Sequence, residues 1–235
     1  MTASSTSYTA QVVSIDTTAP TQQIQLEMPA DYTFLAGQYL CVLHADGTQV
    51  PLSIASPPSS LPQLELHYKS IPGDPAAQAM DKLLQVSSSE GAVWQVSPAQ
   101  GSVRIPDTRE PLLVVAAGSG ASLAFCAAAL RKSLSTHVLW TVERSEDAYA
   151  LQRLESQTGA EVSLVVDATL GEDNAGMRWL AEHANPARFA QVIISGSPAF
   201  TWQATDVLEG YGYSIDKDAP HKLQSDVYDY APRGG

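Results

Sequence analysis

Three short stretches of this chain hold residues whose types and spacing can do chemistry. Ala117-Gly118-Ser119-Gly120-Ala121 follows the apolar run Leu112 to Ala116 and precedes a run of helix formers. Glycines between a buried strand and a helix leave N–H groups exposed at the helix start, where a phosphate is well received. The same residues also fit a nucleophile elbow that raises Ser119 between small neighbours. Asp167 or Asp206, and His183 or His221, would then follow in hydrolase order. Glu143-Arg144 closes a second apolar run, His137 to Val142. A carboxylate at such a strand end accepts from a ribose 2′-OH, whereas an arginine receives a 2′-phosphate. Successive side chains of an extended strand point to opposite sides, so only one of the two faces a ligand. Ser195-Gly196-Ser197-Pro198 closes a third run. Taken alone, each stretch is equally an ordinary strand-to-helix turn.

The elements that must position these residues fall into two halves. In the second, Leu112–Ala116 reads as a strand buried on both faces, and Ala121–Leu130 as a helix with Arg131-Lys132 at its negative end. His137–Val142, Val162–Val166 and Gln191–Ser195 read as strands, and Val227–Tyr230 as the last one. Glu146–Gln157, Asp173–Ala184 and Pro198–Glu209 read as helices. That alternation predicts a doubly wound parallel sheet, with ligands beyond the C-terminal ends of its strands. In the first half the expected strands are Tyr8–Ile15, Thr21–Met28, Tyr39–His44, Pro51–Ser56, Leu64–Tyr68, Gly91–Val96 and Gly101–Ile105. Turns such as Asp46-Gly47 separate them, which predicts a small antiparallel β-barrel. One helix, Ala76–Leu84, interrupts it, with Asp74 as cap and Pro75 in the first turn. A polar linker, Ile105 to Glu110, places a domain boundary near 108, dividing 1–108 from 109–235.

The formal net charge is −12, from 13 basic and 25 acidic side chains. This argues against nucleic acid and anionic membranes as partners, and an anionic cofactor must be met by local donors. Cys41 and Cys126 sit inside apolar patterns and are expected as buried free thiols, which suits a reducing cytosol. Met1 to Thr9 has neither the basic nor the apolar region of a leader, and no apolar run reaches membrane-span length. The histidines show no metal-ligand spacing, and two cysteines cannot hold an iron–sulfur cluster. Loose chain is expected only in the first six residues and in Arg233-Gly234-Gly235.

Ala36-Gly37-Gln38-Tyr39-Leu40, Pro51-Leu52-Ser53-Ile54-Ala55-Ser56 and Leu64-Glu65-Leu66-His67 resemble the flavin-binding barrel of the ferredoxin–NADP reductase superfamily. Within it the likeness is to the small NAD(P)H:flavin oxidoreductases. Arg109–Phe125 is similar to the start of their nicotinamide domain, Ser195–Pro198 to a later loop, and Ser225–Tyr230 to their C-terminal strand. The resemblance implies hydride transfer from NADH or NADPH to riboflavin, FMN or FAD, held as substrate or loose cofactor. It implies Ser53 as the catalytic residue near flavin N5. Tyr39, Pro51, Leu52, His67 and Tyr68 would line the flavin, the last two through backbone groups. Ala117, Gly118, Ser119, Gly120, Ala121, Glu143, Arg144, Ser195 and Gly196 would meet the nucleotide, and Tyr228 and Tyr230 would touch cofactor. The excess of acid favours Glu143 at the ribose and hence a modest preference for NADH.

Two departures stand out. Val50 occupies the place of an arginine that grips flavin phosphate, and Ala117 that of a frequent glycine. The lost charge-assisted contact is worth about 1.5–3 kcal/mol, with Lys69 or the helix start near Ala76 as replacements. Reduced flavin would serve a flavin-dependent oxygenase, ferric iron or oxygen. A non-catalytic flavin- or nucleotide-binding paralogue is the second reading. A serine hydrolase through Ser119 is weaker, because an all-β half precedes the elbow and no HGG-type oxyanion loop occurs.

Overall fold

A computed structural model describes residues 7–87, 91–132, 134–157, 159–167 and 174–233. Strands β1 (Tyr8–Asp16), β2 (Thr21–Glu27), β3 (Tyr39–Leu43), β4 (Gln49–Ser53), β5 (Gln63–Lys69) and β6 (Val93–Val96) pair antiparallel in the order β4-β3-β6-β1-β2-β5. A bridge between Ile54 and Leu66, with Ala55 N–H donating to Glu65 O, brings the end of β4 onto β5 and closes the barrel. Alternation sends Ile24, Leu26, Leu40, Val42, Leu64 and Leu66 inward, where Trp94 and Met80 fill the centre. Met80 comes from helix α1 (Pro75–Val86), whose first N–H groups are received by Asp74. The Tyr68 hydroxyl donates to Ala77 O and to the Asp81 carboxylate, pinning α1 to β5.

The second half holds β7 (Leu112–Ala117), α2 (Ser122–Leu130), β8 (Thr136–Val142), α3 (Leu151–Glu155), β9 (Ala160–Val166), α4 (Ala175–His183), β10 (Gln191–Ser195), α5 (Pro198–Glu209), β11 (Lys222–Gln224) and α6 (Val227–Tyr230). Its strands run parallel in the order β11-β10-β7-β8-β9. The β7 strand is apolar throughout because both faces are covered: Leu112, Val114 and Ala116 belong to one cluster, Leu113 and Val115 to the other. Arg131 caps α2 but does more than oppose a dipole. It is buried, and its guanidinium donates to the carbonyls of Pro106, Thr108, Glu110 and Ser135, fastening the linker to the sheet.

Five expectations are corrected. Residues 101–105 form no strand, because the N–H groups of Ser102, Val103 and Arg104 go to the side chains of Asp226 and Gln224. The stretch 146–157 is not one helix. Asp147 and Tyr149 are drawn to β5, the chain turns through Ala150 at φ 49°, and α3 begins only at Leu151. Residues 227–230 form the single turn α6 rather than a strand, since Asp226 is held by Ser102 and Tyr228 packs against Trp202 and Thr205; the edge strand is β11 instead. The strand expected to Ser56 ends at Ser53. Arg233 is not loose: it pairs with Glu209 at 2.7 Å and lies over the Trp202 ring. Residues 1–6 and 234–235 of the expected loose ends, and the start of the expected helix at Asp173, lie outside the described residues. Both cysteines are buried and free.

Candidate functional site

Strand order reverses at β7 and β10. From β7 the chain runs outward through β8 and β9, then returns to lay β10 and β11 on the other side. The crevice at the C-terminal ends of two such strands is where an open α/β sheet receives a ligand. Gly118–Ala121 forms one wall as a 3₁₀ turn leading into α2, and Ser195-Gly196 forms the other. They touch so closely that a Cβ on Gly120 would collide with the Ser195 carbonyl, and one on Gly196 would lie 3.0 Å from the Ala117 Cβ. Gly118 adopts φ 53°, and its carbonyl accepts from Trp140 Nε1 at 3.0 Å. Glycine is thus required at 120 and 196 for approach and favoured at 118 for backbone conformation.

The barrel meets this crevice along β4 and β5. Ala36 and Ala55 pack into the same apolar cluster as Ala121, Ala124 and Phe125, and Cys126 Sγ donates to Ser56 O at 3.3 Å. Ser53 ends β4, half-buried, directly across from Tyr39 on β3. Tyr39 is held above the usual tyrosine range, first by burial and then by its neighbours Cys41, Asp226, Asp229 and Tyr230. The C-terminal turn therefore brings an acidic rim and the exposed ring of Tyr230 into the neighbourhood of Tyr39. Tyr228 turns away, its hydroxyl 2.8 Å from Thr205 Oγ1.

On β5, Glu65, His67 and Lys69 share the face turned toward the second half. His67 is 2% exposed, so its side chain is enclosed between the two halves. Its Nε2 lies 2.6 Å from Glu65 Oε1 and its Nδ1 2.8 Å from the Tyr149 hydroxyl. A carboxylate only accepts, so Nε2 carries the proton and Nδ1 receives the tyrosine hydroxyl hydrogen. Burial holds His67 below its ordinary value against the pull of Glu65. Burial alone would raise Glu65, yet His67 and Arg153 together bring it down to about 2. Arg153 donates to Glu65 at 2.6 Å and covers the Phe125 ring. The Tyr68 side chain faces α1 instead, with burial first raising it to about 12.

No family model matches the chain. Reductase component 1 of a Comamonas terephthalate 1,2-dioxygenase is 31% identical over 117 residues, covering 48% of this chain and 33% of its own length. A probable flavin reductase of Photobacterium leiognathi is 26% identical over 129 residues, covering 53% of this chain and 55% of its own. The matched stretch thus spans between a third and just over half of these relatives. Among solved structures, an Amycolatopsis cytochrome P450 reductase superposes with a TM-score of 0.76 at 19% identity, over 94% of this chain and 69% of that one. Ferredoxin–NADP+ reductase of Plasmodium falciparum gives 0.73 at 10% identity, over 95% and 98%. The chain has the ferredoxin–NADP reductase fold.

Within this fold the resemblance-derived residues are only partly brought together. Tyr39, Ser53, Ala117, Gly118, Ser119, Gly120, Ala121, Ser195, Gly196 and Tyr230 border the junction of barrel and crevice. Pro51 is exposed, and Glu143 and Arg144 follow β8 on the surface beside the first glycine turn. Leu52 is buried in the barrel core, as is Val50 at 5% exposure, so the position of the missing arginine points inward. Both expected replacements are committed elsewhere: Lys69 to Asp147 at 2.8 Å, and the Ala76 N–H to the Asp74 cap at 2.7 Å. The hydrolase groups do not converge. Asp167 receives the Ala175 N–H, Asp206 faces Arg233, and His183 stacks on Trp179 at the far end of α4. His221 precedes β11, at the N-terminal end of an edge strand two places from β7, whereas Ser119 follows the C-terminal end of β7. Sequence reasoning missed Asp147, Tyr149 and Arg153, since nothing local marks any of them as the partner of a strand some 80 positions earlier.

Proposed function

We propose that this chain transfers a hydride from NADH or NADPH to a flavin, held as substrate or loosely bound cofactor, and so supplies reduced flavin. The two glycine-lined loops packed together at the switch point, with Ala36 and Ala55 of the barrel packed against the helix that follows the first of them, are the observation that carries this reading. The residues at the barrel edge fit the flat ring of a flavin: a half-buried hydroxyl at Ser53, the apolar ring of Tyr230 and small alanines behind. They offer no grip for its phosphate, since Val50 faces the core and Asp226 and Asp229 stand beside Tyr39. A bound flavin supplies a two-electron acceptor at N5. Ser53 would orient that edge by hydrogen bonding, and the apolar contact of Ala36 and Ala55 with α2 would keep water from the junction. The amides of Gly118–Ala121 would receive nucleotide phosphate. Glu143 would read the ribose with a modest preference for NADH.

The relatives named as a probable flavin reductase and as an oxygenase reductase component support electron transfer of this kind, with a flavin-dependent oxygenase as the proposed recipient of reduced flavin. We place the barrel domain at 1–108, the nucleotide domain at 109–235, and the protein in a reducing cytosol, which suits its buried thiols. No helix among the described residues is long and apolar enough to cross a membrane. The test is NADH and NADPH oxidation by folded protein with and without riboflavin, FMN and FAD. A flavin-dependent rate with either nucleotide is expected, with riboflavin used about as well as the phosphorylated flavins. Ser53→Ala should lower kcat more than it weakens flavin binding. Absence of any flavin-dependent rate overturns the reading and returns the chain to a binding paralogue.

A further inference from the structure

Strand β8 lies beside β7 in register up to Ala117 and Thr141, so Glu143 and Arg144 emerge next to the first glycine turn. Both are exposed, but they are not equally free. The chain continues into a 3₁₀ turn, Ser145–Asp147, in which the Asp147 N–H donates to Arg144 O at 3.0 Å. That turn folds the Asp147 side chain back beneath Arg144. The Asp147 side chain is 1% exposed. Its Oδ1 accepts from Lys69 Nζ of the barrel at 2.8 Å. Its Oδ2 has no hydrogen-bond partner among the described residues and faces Arg144 Nε at 3.6 Å. Glu146 adds a second carboxylate 3.4 Å from the arginine, though that pair is largely exposed. Glu143 makes no ion pair among the described residues. The carboxylate able to read a ribose hydroxyl is therefore free, while the cation able to receive a 2′-phosphate is tethered.

We infer that Asp147 is a positioning residue that holds Arg144 away from a nucleotide 2′-phosphate, and that Lys69 of the barrel tunes this hold by competing for the same carboxylate. The inference deepens the nicotinamide reading above and rests on it. Burial fixes Asp147 in place, so it cannot swing out with the arginine as an exposed carboxylate would. Burial alone would raise its carboxyl, but Lys69 and then Arg144 outweigh that and keep it below the usual range, so it is charged at neutral pH. The two cations divide one negative charge. Removing the charge frees Arg144, and removing Lys69 leaves the whole charge to Arg144. The two substitutions must therefore act in opposite directions on a 2′-phosphate and leave a 2′-hydroxyl nearly unaffected.

The experiment is calorimetric titration of the full chain with NAD+ and NADP+, without flavin. Asp147→Asn should tighten NADP+ by about three- to tenfold and Lys69→Met should weaken it by about two- to threefold, with NAD+ changed less than about twofold in either. Adding Arg144→Ala to each should erase both effects. A merely structural role for Asp147 would move both nucleotides together, and that result overturns the inference. So does a shift of NADP+ in the same direction in both variants, or an unmoved ratio in a protein that binds both nucleotides. If Asp147→Asn fails to fold by circular dichroism, the weakening in Lys69→Met and its loss with Arg144→Ala still decide the matter. A wild-type chain that binds neither nucleotide overturns the nicotinamide reading itself, and this inference falls with it.

Discussion

Two seams join the barrel to the α/β unit, and they are built on different principles. At the first, side chains of β5 meet side chains of residues 147–153: Lys69 with Asp147, His67 with Tyr149, Glu65 with Arg153. His67, Asp147 and Tyr149 are buried, and His67 also packs edge-on against Phe125 and Tyr149. At the second, side chains near the C-terminus take the place of a missing strand. Asp226 receives the N–H groups of Ser102 and Val103, Gln224 bonds both the N–H and the carbonyl of Arg104, and Asp229 accepts from the Ser102 hydroxyl. The first seam depends on matched charge in a low-dielectric place. The second depends on backbone geometry at the rim. The contrast teaches that one pair of domains can be held by contacts that answer differently to mutation and to pH.

The largest effect should come from breaking the geometric seam. Gly101 sits at φ 97°, and a Cβ there would lie 2.6 Å from Asp226 Oδ1. Gly101→Ala should cost about 3 kcal/mol, combining backbone strain with overpacking, read by urea denaturation. A loss below about 1 kcal/mol would show that the rim yields easily.

Removing one hydroxyl from the buried seam should matter somewhat less. Tyr149→Phe keeps the packing against Phe125 and Trp140 but leaves His67 Nδ1 without its donor. The expected loss is about 1–3 kcal/mol, the desolvation cost of an unsatisfied buried acceptor.

The pH response separates the seams by sign. In the first, His67, Glu65 and Asp147 all have folded values below their ordinary ones. The unfolded chain then binds more protons, so their contribution is present above the ordinary values and is lost as pH falls from about 6.5 toward 2. In the second, burial first raises Asp226, against the N–H groups of Ser102 and Val103 and with help from Asp229. A raised carboxyl contributes stability that is present below its ordinary value of 3.8 and is lost as pH rises through the folded value. Denaturation measured from pH 7 to pH 3 should show net loss toward acid. Glu65→Gln should flatten that loss, and Asp226→Asn should steepen it. Two variants with parallel profiles would refute the distinction.

The smallest effect is expected at the exposed edge of the second seam. Ser102→Ala removes the hydroxyl bond to Asp229 but keeps the backbone bond to Asp226. It should change stability by no more than about 0.5 kcal/mol. A larger loss, measured by the same denaturation, would mean that Asp229 rather than Asp226 carries the rim.

Much of this was legible from the chain alone. Pro198–Glu209 forms a helix over the span its proline entry and periodicity predict, and Asp74 caps the helix whose first turn holds Pro75. Leu112 to Ala116 is a strand buried on both faces, because a run without polar residues has no side to offer water. These features rest on interactions within a few residues, which sequence order records directly. What tertiary structure alone decided lies where polar residues choose partners at a distance. Alternation puts Val50 and Leu52 on one face of β4 and Pro51 and Ser53 on the other, but only barrel closure turns the first pair inward. His67 finds the partner of its Nδ1 only when Tyr149, 82 positions later, is folded onto it. Val227–Tyr230 has strand-forming side chains, yet a buried Val227 and an anchored Asp226 hold it as one helical turn. Local propensity is worth tenths of a kcal/mol per residue, whereas burial and paired hydrogen bonds are worth about a kcal/mol each, so where the two disagree the distant partners prevail.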